Sequence, residues 1–447
     1  MRVAHGHPRQ IRCQMVASYR VIINDCACPA LPGLTHLRTR HNEFGSQNVV
    51  YSYESVVAGL PERLTPTQQD WLDILGALYA TDLACPRGTG DNWARTIKLW
   101  VGVRNVDHWR PLANRFSQVF GALAYDELEI NFVREENPAP QPRQSRKAFP
   151  ETNCIALLSG GIDSLTGAGL LLRGGRVPLY ISHQNSGAVG RALKAVENAL
   201  HDIGPSAGRF TFTAHLQNAD ADSTQRSRSM LYMGIACLLA TCLDLPGIYL
   251  NENGIMAINA PLTEARIGSY STHTASPNII RDFARLATTA LGHKLSIRNI
   301  LATYTKPEVV EHAVGLGLGD VLPDTVSCWW IGRTNQHCGY CIPCIVRQIS
   351  CEYAGAPDVI YREHPLDHIP PDARWRDPAT DNVVHLCTHV AALAEADDID
   401  LELDFTELLN CGDQLTREQS FDMHRRWARQ CLAILRTHPT AARFLGR

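Results

Sequence analysis

The amino-acid sequence predicts an α/β protein built on a doubly wound parallel sheet. Three observations support this fold: short apolar runs alternate with helical segments after residue 152, a glycine-rich turn follows the first run, and four cysteines cluster between residues 328 and 344. Alternating strands and helices are typical of a parallel sheet that is covered by helices on both faces. Ligands of such sheets usually bind at the loop after a strand.

The core is predicted to occupy residues 153–352, where the alternation is regular. We expect strands at 154–158, 177–182, 210–213 and 248–251. We expect helices from the glycine-rich turn to Leu172, at 189–201 and at 228–243.

Two further regions flank this core. Residues 1–135 are predicted to form an accessory α+β domain, and residues 353–447 a largely helical C-terminal extension. Residues 136–152 are rich in proline and charge, have no apolar period, and are interpreted as a linker. Within the flanking regions we expect a helix at 67–79, strands at 97–103 and 127–132, and a helical run at 416–438.

Composition narrows the class of protein. A chain of 447 residues is long enough for two or three domains. Its 45% hydrophobic and 19% charged residues are typical of globular domains with hydrophobic cores. A formal net charge of −3 gives no overall basic field, which argues against a nucleic-acid partner. No run reaches the roughly 18 apolar residues that span a bilayer, and the first ten residues lack the apolar centre of a secretion signal. The 15 cysteines favour a reducing compartment, so we expect a cytoplasmic protein without a membrane partner.

The glycine-rich turn has the sequence Ser159-Gly160-Gly161-Ile162-Asp163-Ser164. Adjacent glycines allow a sharp turn and a close approach to a ligand, and N–H groups at a helix start can bind a pyrophosphate. The two serines can add hydroxyl donors, and Asp163 can hold Mg²⁺ or cap the helix. The pattern resembles the SGGxDS signature of the PP-loop (adenine nucleotide alpha hydrolase-like) pyrophosphatases, which cleave ATP between the α- and β-phosphates. The alternative is a tight turn that binds nothing.

The four clustered cysteines are Cys328, Cys338, Cys341 and Cys344, spaced C-x9-C-x2-C-x2-C. Four thiolates that close around one tetrahedral ion are typical of structural Zn²⁺. Free buried thiols, an Fe–S cluster or a redox pair are the alternatives. The adjacent Trp329 and Trp330 are interpreted as residues that pack around this four-cysteine site.

The turn together with SCWWIGRTNQHCGYCIPCIVR at 327–347 resembles the 7-cyano-7-deazaguanine synthase (QueC) family, in which a zinc knuckle of this shape follows a PP-loop domain. Arg228 begins a helix similar to one whose arginine faces the phosphates in that family. Ser229 stands where the family has Asn and the preceding proline is missing, which leaves Arg226 as an alternative. Lys306, in Thr-Lys-Pro-Glu, resembles the family lysine that supports the ATP site.

The resemblance covers about residues 153–352. The segments Asn251-Glu252-Asn253-Gly254 and 272–277 are similar to those of longer QueC-like proteins in bacterial antiphage operons, including the Qat and type IV CBASS systems. The added residues at both ends of the chain agree with that longer type.

The resemblance implies ATP, Mg²⁺ and Zn²⁺ as cofactors and 7-carboxy-7-deazaguanine as the small-molecule substrate. Its carboxylate would attack the α-phosphorus of ATP, and an amine would attack the resulting acyl-adenylate. Asp163, Ser164, Arg228 and Lys306 are the predicted catalytic residues, and residues 159–164 the ATP-binding turn. The candidates for base binding are Glu252, Glu264, Tyr270 and His273. For each of them the alternative is an ordinary loop or packing residue without a role in binding.

The amine acceptor is predicted to be the N-terminal amine of a partner protein from the same operon, in antiphage defence. The added regions exceed what ammonia requires, and an α-amine with a pKa of about 7.7–8.0 is partly neutral near pH 7. The alternatives are an ammonia-using 7-cyano-7-deazaguanine synthase, a tRNA-thiolating PP-loop enzyme, and an inactive binding module.

Overall fold

The computed structural model describes most of the chain. The described residues are 17–24, 26, 32–39, 45–87, 94–135, 138, 149, 151–184, 186–217, 226–262, 273–367 and 378–445. Within these ranges the fold is mixed α/β with parallel sheets, a four-cysteine cluster and a largely helical C-terminal region.

Ten strands and sixteen α-helices occur in the described ranges. The strands are β1 (Ala17–Ile23), β2 (Leu34–Leu37), β3 (Val49–Ser52), β4 (Arg95–Val103), β5 (Glu127–Arg134), β6 (Cys154–Leu157), β7 (Pro178–His183), β8 (Gly208–Leu216), β9 (Gly247–Leu250) and β10 (Ser296–Asn299). The helices are α1 (Glu54–Ala58), α2 (Pro66–Ala84), α3 (Val106–Trp109), α4 (Ala113–Ala124), α5 (Ile162–Arg173), α6 (Gly187–His201), α7 (Arg228–Cys242), α8 (Gly254–Ala257), α9 (Pro277–Leu291), α10 (Lys306–Gly315), α11 (Ile331–Thr334), α12 (Ile342–Tyr353), α13 (Pro378–Glu395), α14 (Asp398–Asp404), α15 (Arg417–Leu435) and α16 (Pro439–Ala442).

The larger sheet has the order β10-β9-β6-β7-β8-β3. All its pairings are parallel except β3 with β8, which is antiparallel. The strand order reverses at β6, so the crevice at the carboxyl end of β6 is the switch point where such sheets bind ligands. The glycine-rich turn of 159–164 begins two residues after β6 ends. The doubly wound core predicted from the sequence is therefore confirmed.

The smaller sheet has the order β2-β1-β4-β5, and its three pairings are all parallel. The α+β prediction for the first 135 residues did not include a wholly parallel sheet. The strand β3 belongs to the larger sheet although it precedes the predicted linker, and the sequence analysis missed it. A four-residue strand carries too few residues for alternation to distinguish it from a loop.

Apolar side chains join the two sheets into one hydrophobic core. Buried residues of α2 and α4 lie in the same cluster as residues of α7, α9 and the larger sheet. The indole N–H of Trp71 donates to the carbonyl of Gly234 at 2.8 Å. A Cβ on Gly234 would lie 2.1 Å from Leu75, so α2 and α7 pack closely at this point. The linker prediction falls on residues that mostly lie outside the described ranges, and the domain boundaries stay predictions.

The C-terminal region forms its own apolar cluster around α13 and α15. This cluster includes Ile345 and Ile349 of α12, so the extension packs on the helix that ends the predicted core. Helix α15 confirms the run expected at 416–438, with a capping box at Thr416 and Gln419 that begins it. None of the described helices is long and apolar enough to cross a bilayer.

Candidate active site

The turn after β6 has the backbone that its glycines predict. Gly160 has φ +81°, and a Cβ there would lie 3.3 Å from the backbone nitrogen of Leu193. The carbonyl of Gly160 accepts from the N–H of Val326 at 2.9 Å. The Ser164 hydroxyl lies 3.1 Å from that of Ser159 and donates to the carbonyl of Gly161 at 3.0 Å. The turn is thus stabilised by its own serine hydroxyls and by the distant residue Val326, and it leads directly into α5.

Asp163 lies in the first turn of α5 and binds two side chains. Its Oδ1 accepts from Lys306 Nζ at 2.8 Å, and its Oδ2 accepts from Asn253 Nδ2 at 2.9 Å. The Asp163 and Lys306 side chains are both nearly buried. The expectation that Asp163 could cap α5 is wrong, because Gly161 is the N-cap residue and no side chain caps it. Asp163 instead joins the turn to residues 90 and 143 positions away.

Lys306 is the first residue of α10. Thr305 caps this helix, accepting from the N–H of Glu308 at 3.3 Å, while Glu308 accepts from the N–H of Thr305 at 2.9 Å. This reciprocal capping box fixes the entry of the chain into the helix. The lysine therefore projects from a rigid helix start, as the Thr-Lys-Pro-Glu pattern indicates.

Glu252 follows β9 and lies within electrostatic range of the same groups. Asn299 fixes its backbone: Oδ1 accepts from the Glu252 N–H at 3.1 Å, and Nδ2 donates to the Glu252 carbonyl at 2.7 Å. Burial and the Asp163 charge raise the pKa of Glu252 to about 7, against the opposing effect of Lys306 and Arg228. Four residues proposed from the sequence therefore lie in one electrostatic neighbourhood.

The two arginine alternatives near the start of α7 differ in environment. Arg228 is exposed, and its charge acts on Glu252 and on the nearby His183. Arg226 is buried, with its guanidinium carbon 5.3 Å from the ring centroid of Tyr125. The Arg228 charge acts on Glu252, one of the proposed site residues, which favours Arg228 as the arginine of the site. Its catalytic role stays a prediction.

Helix α7 is anchored by the N-terminal region. Asp82 of α2 accepts from the Ser227 N–H at 2.8 Å and from the Ser227 hydroxyl at 2.9 Å. Asp82 also forms a buried ion pair with Arg95 at 2.6 Å. A carboxylate at a helix N-terminus is stabilised by the helix dipole. The residue before Arg228 is therefore fixed by a side chain more than 140 positions away.

His273 is the remaining base-binding candidate in the described ranges. Its ring bonds to the Tyr125 hydroxyl of the N-terminal region, and burial lowers its pKa. Among the described residues, the hydrogen bond of the His273 ring goes to Tyr125, whereas those of the Asp163 carboxylate go to Asn253 and Lys306. Glu264 and Tyr270 lie outside the described residues. The base-binding assignments of all these residues stay predictions.

The four cysteines form one buried cluster whose sulfurs all lie within 4.8 Å of one another. The Sγ atoms of Cys338 and Cys344 are 3.9 Å apart. Zinc bonded tetrahedrally at about 2.3 Å separates neighbouring sulfurs by about 3.8 Å. Backbone N–H groups of Trp330 and Cys338 point at Cys328 Sγ, at 3.3 and 3.4 Å. The cluster therefore fits a closed four-thiolate zinc site.

The knuckle is joined to the glycine-rich turn by a short segment. Arg347, fully buried in α12, donates to the carbonyl and the hydroxyl of Thr325, at 3.0 and 2.9 Å, and to the carbonyl of Leu322 at 2.6 Å. Val326, next in the chain, binds Gly160, and Cys328 follows two residues later. The arginine that ends the knuckle pattern thus holds the segment between the four-cysteine cluster and the turn. Sequence reasoning gave it no role.

The expectation for the two tryptophans is wrong. Trp329 is 52% exposed and Trp330 is 37% exposed. The guanidinium of Arg333 lies over the Trp330 ring, 5.3 Å from its centroid. Both tryptophans precede the short helix α11, in which Ile331 is the buried residue.

Sequence reasoning missed two asparagines that complete the site. Asn253 caps α8 through the Met256 N–H at 3.1 Å and also binds Asp163. Asn299 ends β10 and orients Glu252. The Asn251–Gly254 motif signalled the first but carried no assigned chemistry. Asn299 has no motif, and only its place at the carboxyl end of a strand could have suggested it.

Comparison with known proteins finds matches to the predicted core. A family model described as queuosine biosynthesis protein QueC matches residues 240–355. The chain is similar to 7-cyano-7-deazaguanine synthases. That of Hydrogenovibrio crunogenus is 24% identical over 234 residues, covering 46% of this chain and 93% of the relative. That of Methylococcus capsulatus is 26% identical over 228 residues, covering 46% and 96%.

The match accounts for almost all of each relative but for less than half of this chain. The matched region of the family model ends shortly after α12, so α13 to α16 lie outside it. The fold and the cysteine cluster agree with a QueC-like PP-loop core.

Proposed function

We propose that this chain is a QueC-like, ATP-dependent enzyme that adenylates the carboxylate of 7-carboxy-7-deazaguanine and transfers the acyl group to an amine. The observation that carries the proposal is the Asp163–Lys306 ion pair at the turn after β6, with Glu252 and Arg228 within electrostatic range. The similarity to 7-cyano-7-deazaguanine synthases supports the substrate class.

The first step forms an acyl-adenylate. A carboxylate oxygen attacks the α-phosphorus of ATP, the bond from that phosphorus to the bridging oxygen breaks, and pyrophosphate leaves. In the second step an amine attacks the acyl carbon, a C–N bond forms, AMP leaves with the former carboxylate oxygen, and the amine loses a proton. No protein nucleophile is needed. The protein contributes positioning and electrostatic stabilisation.

The site residues suit these needs. The start of α5, with the Ser159 and Ser164 hydroxyls, is a suitable binding site for the departing pyrophosphate. Lys306 and Arg228 supply positive charge beside it. Glu252, whose pKa lies near 7, is suited to bind the N–H edge of the base or to accept a proton.

Two metals belong to this proposal. Mg²⁺ would bind ATP phosphates and Asp163, whose oxygens keep acceptor capacity beyond Lys306 and Asn253, and it would neutralise phosphate charge. Zn²⁺ on the four cysteines would be structural, because all four positions are protein thiolates.

The acceptor separates two candidate reactions. The relatives are named for a cyano product, and this favours ammonia as the amine. Ammonia gives a primary amide first, and a second adenylation can dehydrate that amide to the nitrile. The unmatched half of the chain favours a protein amine instead, as in the proposed antiphage conjugation, because ammonia needs no docking surface. A secondary amide keeps its N-substituent and cannot become a nitrile, so conjugation would stop there.

A tRNA-thiolating reaction is less well supported. Such chemistry needs a reactive thiolate, whereas burial raises the pKa of Cys154 to about 11 and that of Cys242 to about 12. The four knuckle cysteines are committed to one cluster.

The test combines the purified chain with ATP, Mg²⁺ and 7-carboxy-7-deazaguanine and measures pyrophosphate. Release that depends on the acid supports the proposal, and its absence with zinc-loaded, folded protein would contradict it. Ammonium is then supplied with and without the protein encoded beside this chain. Nitrile formation from ammonium alone identifies a synthase. A mass increase on the neighbouring protein's N-terminus identifies conjugation.

A further inference from the structure

Helix α15 contacts the loop that carries Lys306. The Thr305 hydroxyl donates to Gln430 Oε1 at 2.6 Å, and Gln430 Nε2 donates to Glu308 Oε1 at 3.3 Å. Thr305 is fully buried and Gln430 is half-buried, so this bond is partly shielded from bulk water. Gln430 therefore binds both members of the capping box that begins α10.

Arg426, one turn earlier on α15, binds both sides of Lys306. Its Nε donates to Glu308 Oε1 at 2.9 Å, and its Nη2 donates to the carbonyl of Thr303 at 3.0 Å. The rigid guanidinium plane fixes the two bonds relative to each other. Burial opposes the ionisation of Glu308, but hydrogen bonds from Arg426 and from the Thr305 N–H lower its pKa. Glu308 is thus a charged acceptor at neutral pH.

The same region reaches the second loop of the site. Gln414, just before α15, accepts from the Asn299 N–H at 2.7 Å, and Asn299 orients Glu252. Met423 of α15 fills the space beside Gly254, where a Cβ would lie 2.1 Å from its sulfur. The C-terminal extension thus supports the two segments that carry Glu252 and Lys306.

We propose that Arg426 and Gln430 are positioning residues, which hold the start of α10 so that the Lys306 ammonium meets Asp163. The proposal rests on the proposed function for its catalytic consequence. Its geometric part does not, because the Lys306–Asp163 contact exists without substrate. A displacement of about 1 Å at a catalytic group can cost about 100-fold in rate.

The test uses the full chain with Arg426→Ala and Gln430→Leu, and Arg425→Ala as the matched control. Arg425 is adjacent on α15, but it binds Asp398 and the carbonyl of Ala396 within the extension and does not contact α10. The first readout is the rate at which an amine-reactive acylating reagent labels Lys306, resolved by mass spectrometry. The second is the pair kcat and KM for acid-dependent pyrophosphate release, per zinc-loaded protein.

The proposal predicts that Arg426→Ala and Gln430→Leu raise Lys306 labelling at least about threefold, because local opening exposes the amine. It also predicts that kcat falls about 10- to 100-fold while KM for ATP changes less than about twofold, since Lys306 acts mainly in the transition state. Arg426→Lys should recover part of both effects, because an ammonium can keep one of the two bonds.

Unchanged Lys306 labelling in both variants, or equal changes in Arg425→Ala, would overturn the positioning role. A chain that releases no pyrophosphate under any condition contradicts the proposed function instead. In that case the labelling experiment still decides whether α15 positions Lys306.

Discussion

The four-cysteine knuckle and the turn after β6 are built in opposite ways. All four knuckle cysteines lie within 17 consecutive residues, and their spacing alone brings the sulfurs together. Around the turn, by contrast, Asp163 binds Asn253 and Lys306 from two remote loops, and α15 supports those loops from behind. The first arrangement stabilises the fold locally, whereas the second depends on the packing of the whole chain. Substitutions should therefore affect stability at one and rate at the other.

The largest effect on stability is expected at the knuckle. Cys338→Ser or Cys341→Ser should abolish zinc binding and lower the free energy of unfolding by more than about 4 kcal/mol, because structural zinc contributes on the order of 10 kcal/mol of binding energy. Zinc content and melting temperature are the measurements. The control is Cys351→Ala, a buried thiol of α12 outside the cluster, which should keep its zinc. A zinc-free Cys341→Ser protein with wild-type melting temperature would refute the structural role.

At the turn the effect should be on rate. Asp163→Asn or Lys306→Ala should lower kcat for pyrophosphate release by about 10² to 10³-fold, because each removes a preorganised charge at the reacting phosphate. Zinc content should stay close to wild type, and the melting temperature should fall less than in the cysteine variants, because the lost contact is one nearly buried ion pair. Asp202→Asn, at an exposed carboxylate, is the control. Wild-type turnover in folded Asp163→Asn protein is the contradicting outcome.

The pKa of Glu252 adds a pH dependence to the turn. A pKa raised from 4.5 to about 7 means that folded protein keeps a proton that the unfolded chain has released. The stabilisation is complete below about pH 4.5 and is lost as the pH rises to about 7, by up to about 3 kcal/mol. Glu252→Gln should therefore become more stable than wild type at pH 7.5 but not at pH 4.5. Chemical denaturation at the two pH values checks this, and an equal difference at both contradicts it.

The smallest effect is expected where the N-terminal region anchors α7. Ser227→Ala removes the buried hydroxyl bond to Asp82 but keeps the backbone bond, so we expect a loss of about 1–2 kcal/mol. Ser229→Ala is the matched control, because its buried hydroxyl has no hydrogen-bond partner among the described residues. The free energy of unfolding of both variants is measured by denaturation. Equal losses would contradict a specific role of Asp82 in anchoring α7.

The same contrast explains how much the sequence could predict. Spacing identified the knuckle cysteines, and the glycine-rich turn with its flanking strand and helix identified Asp163. The elements of the core were found because their apolar period is a local property. The supporting contacts of Arg426, Gln430 and Asn299 were missed because they join residues more than 40 positions apart, and periodicity reports only which face of a helix is apolar.

The first step of the proposed reaction is the attack of a carboxylate oxygen on the α-phosphorus of ATP at the turn after β6. Its most direct test supplies 7-carboxy-7-deazaguanine with both carboxyl oxygens labelled as ¹⁸O, together with ATP, Mg²⁺ and an amine, and analyses AMP by mass spectrometry. The expected result is one ¹⁸O atom in each AMP released with pyrophosphate, and AMP release about 10²- to 10³-fold slower from Asp163→Asn protein. Unlabelled AMP, or ADP and phosphate as the products, would contradict it.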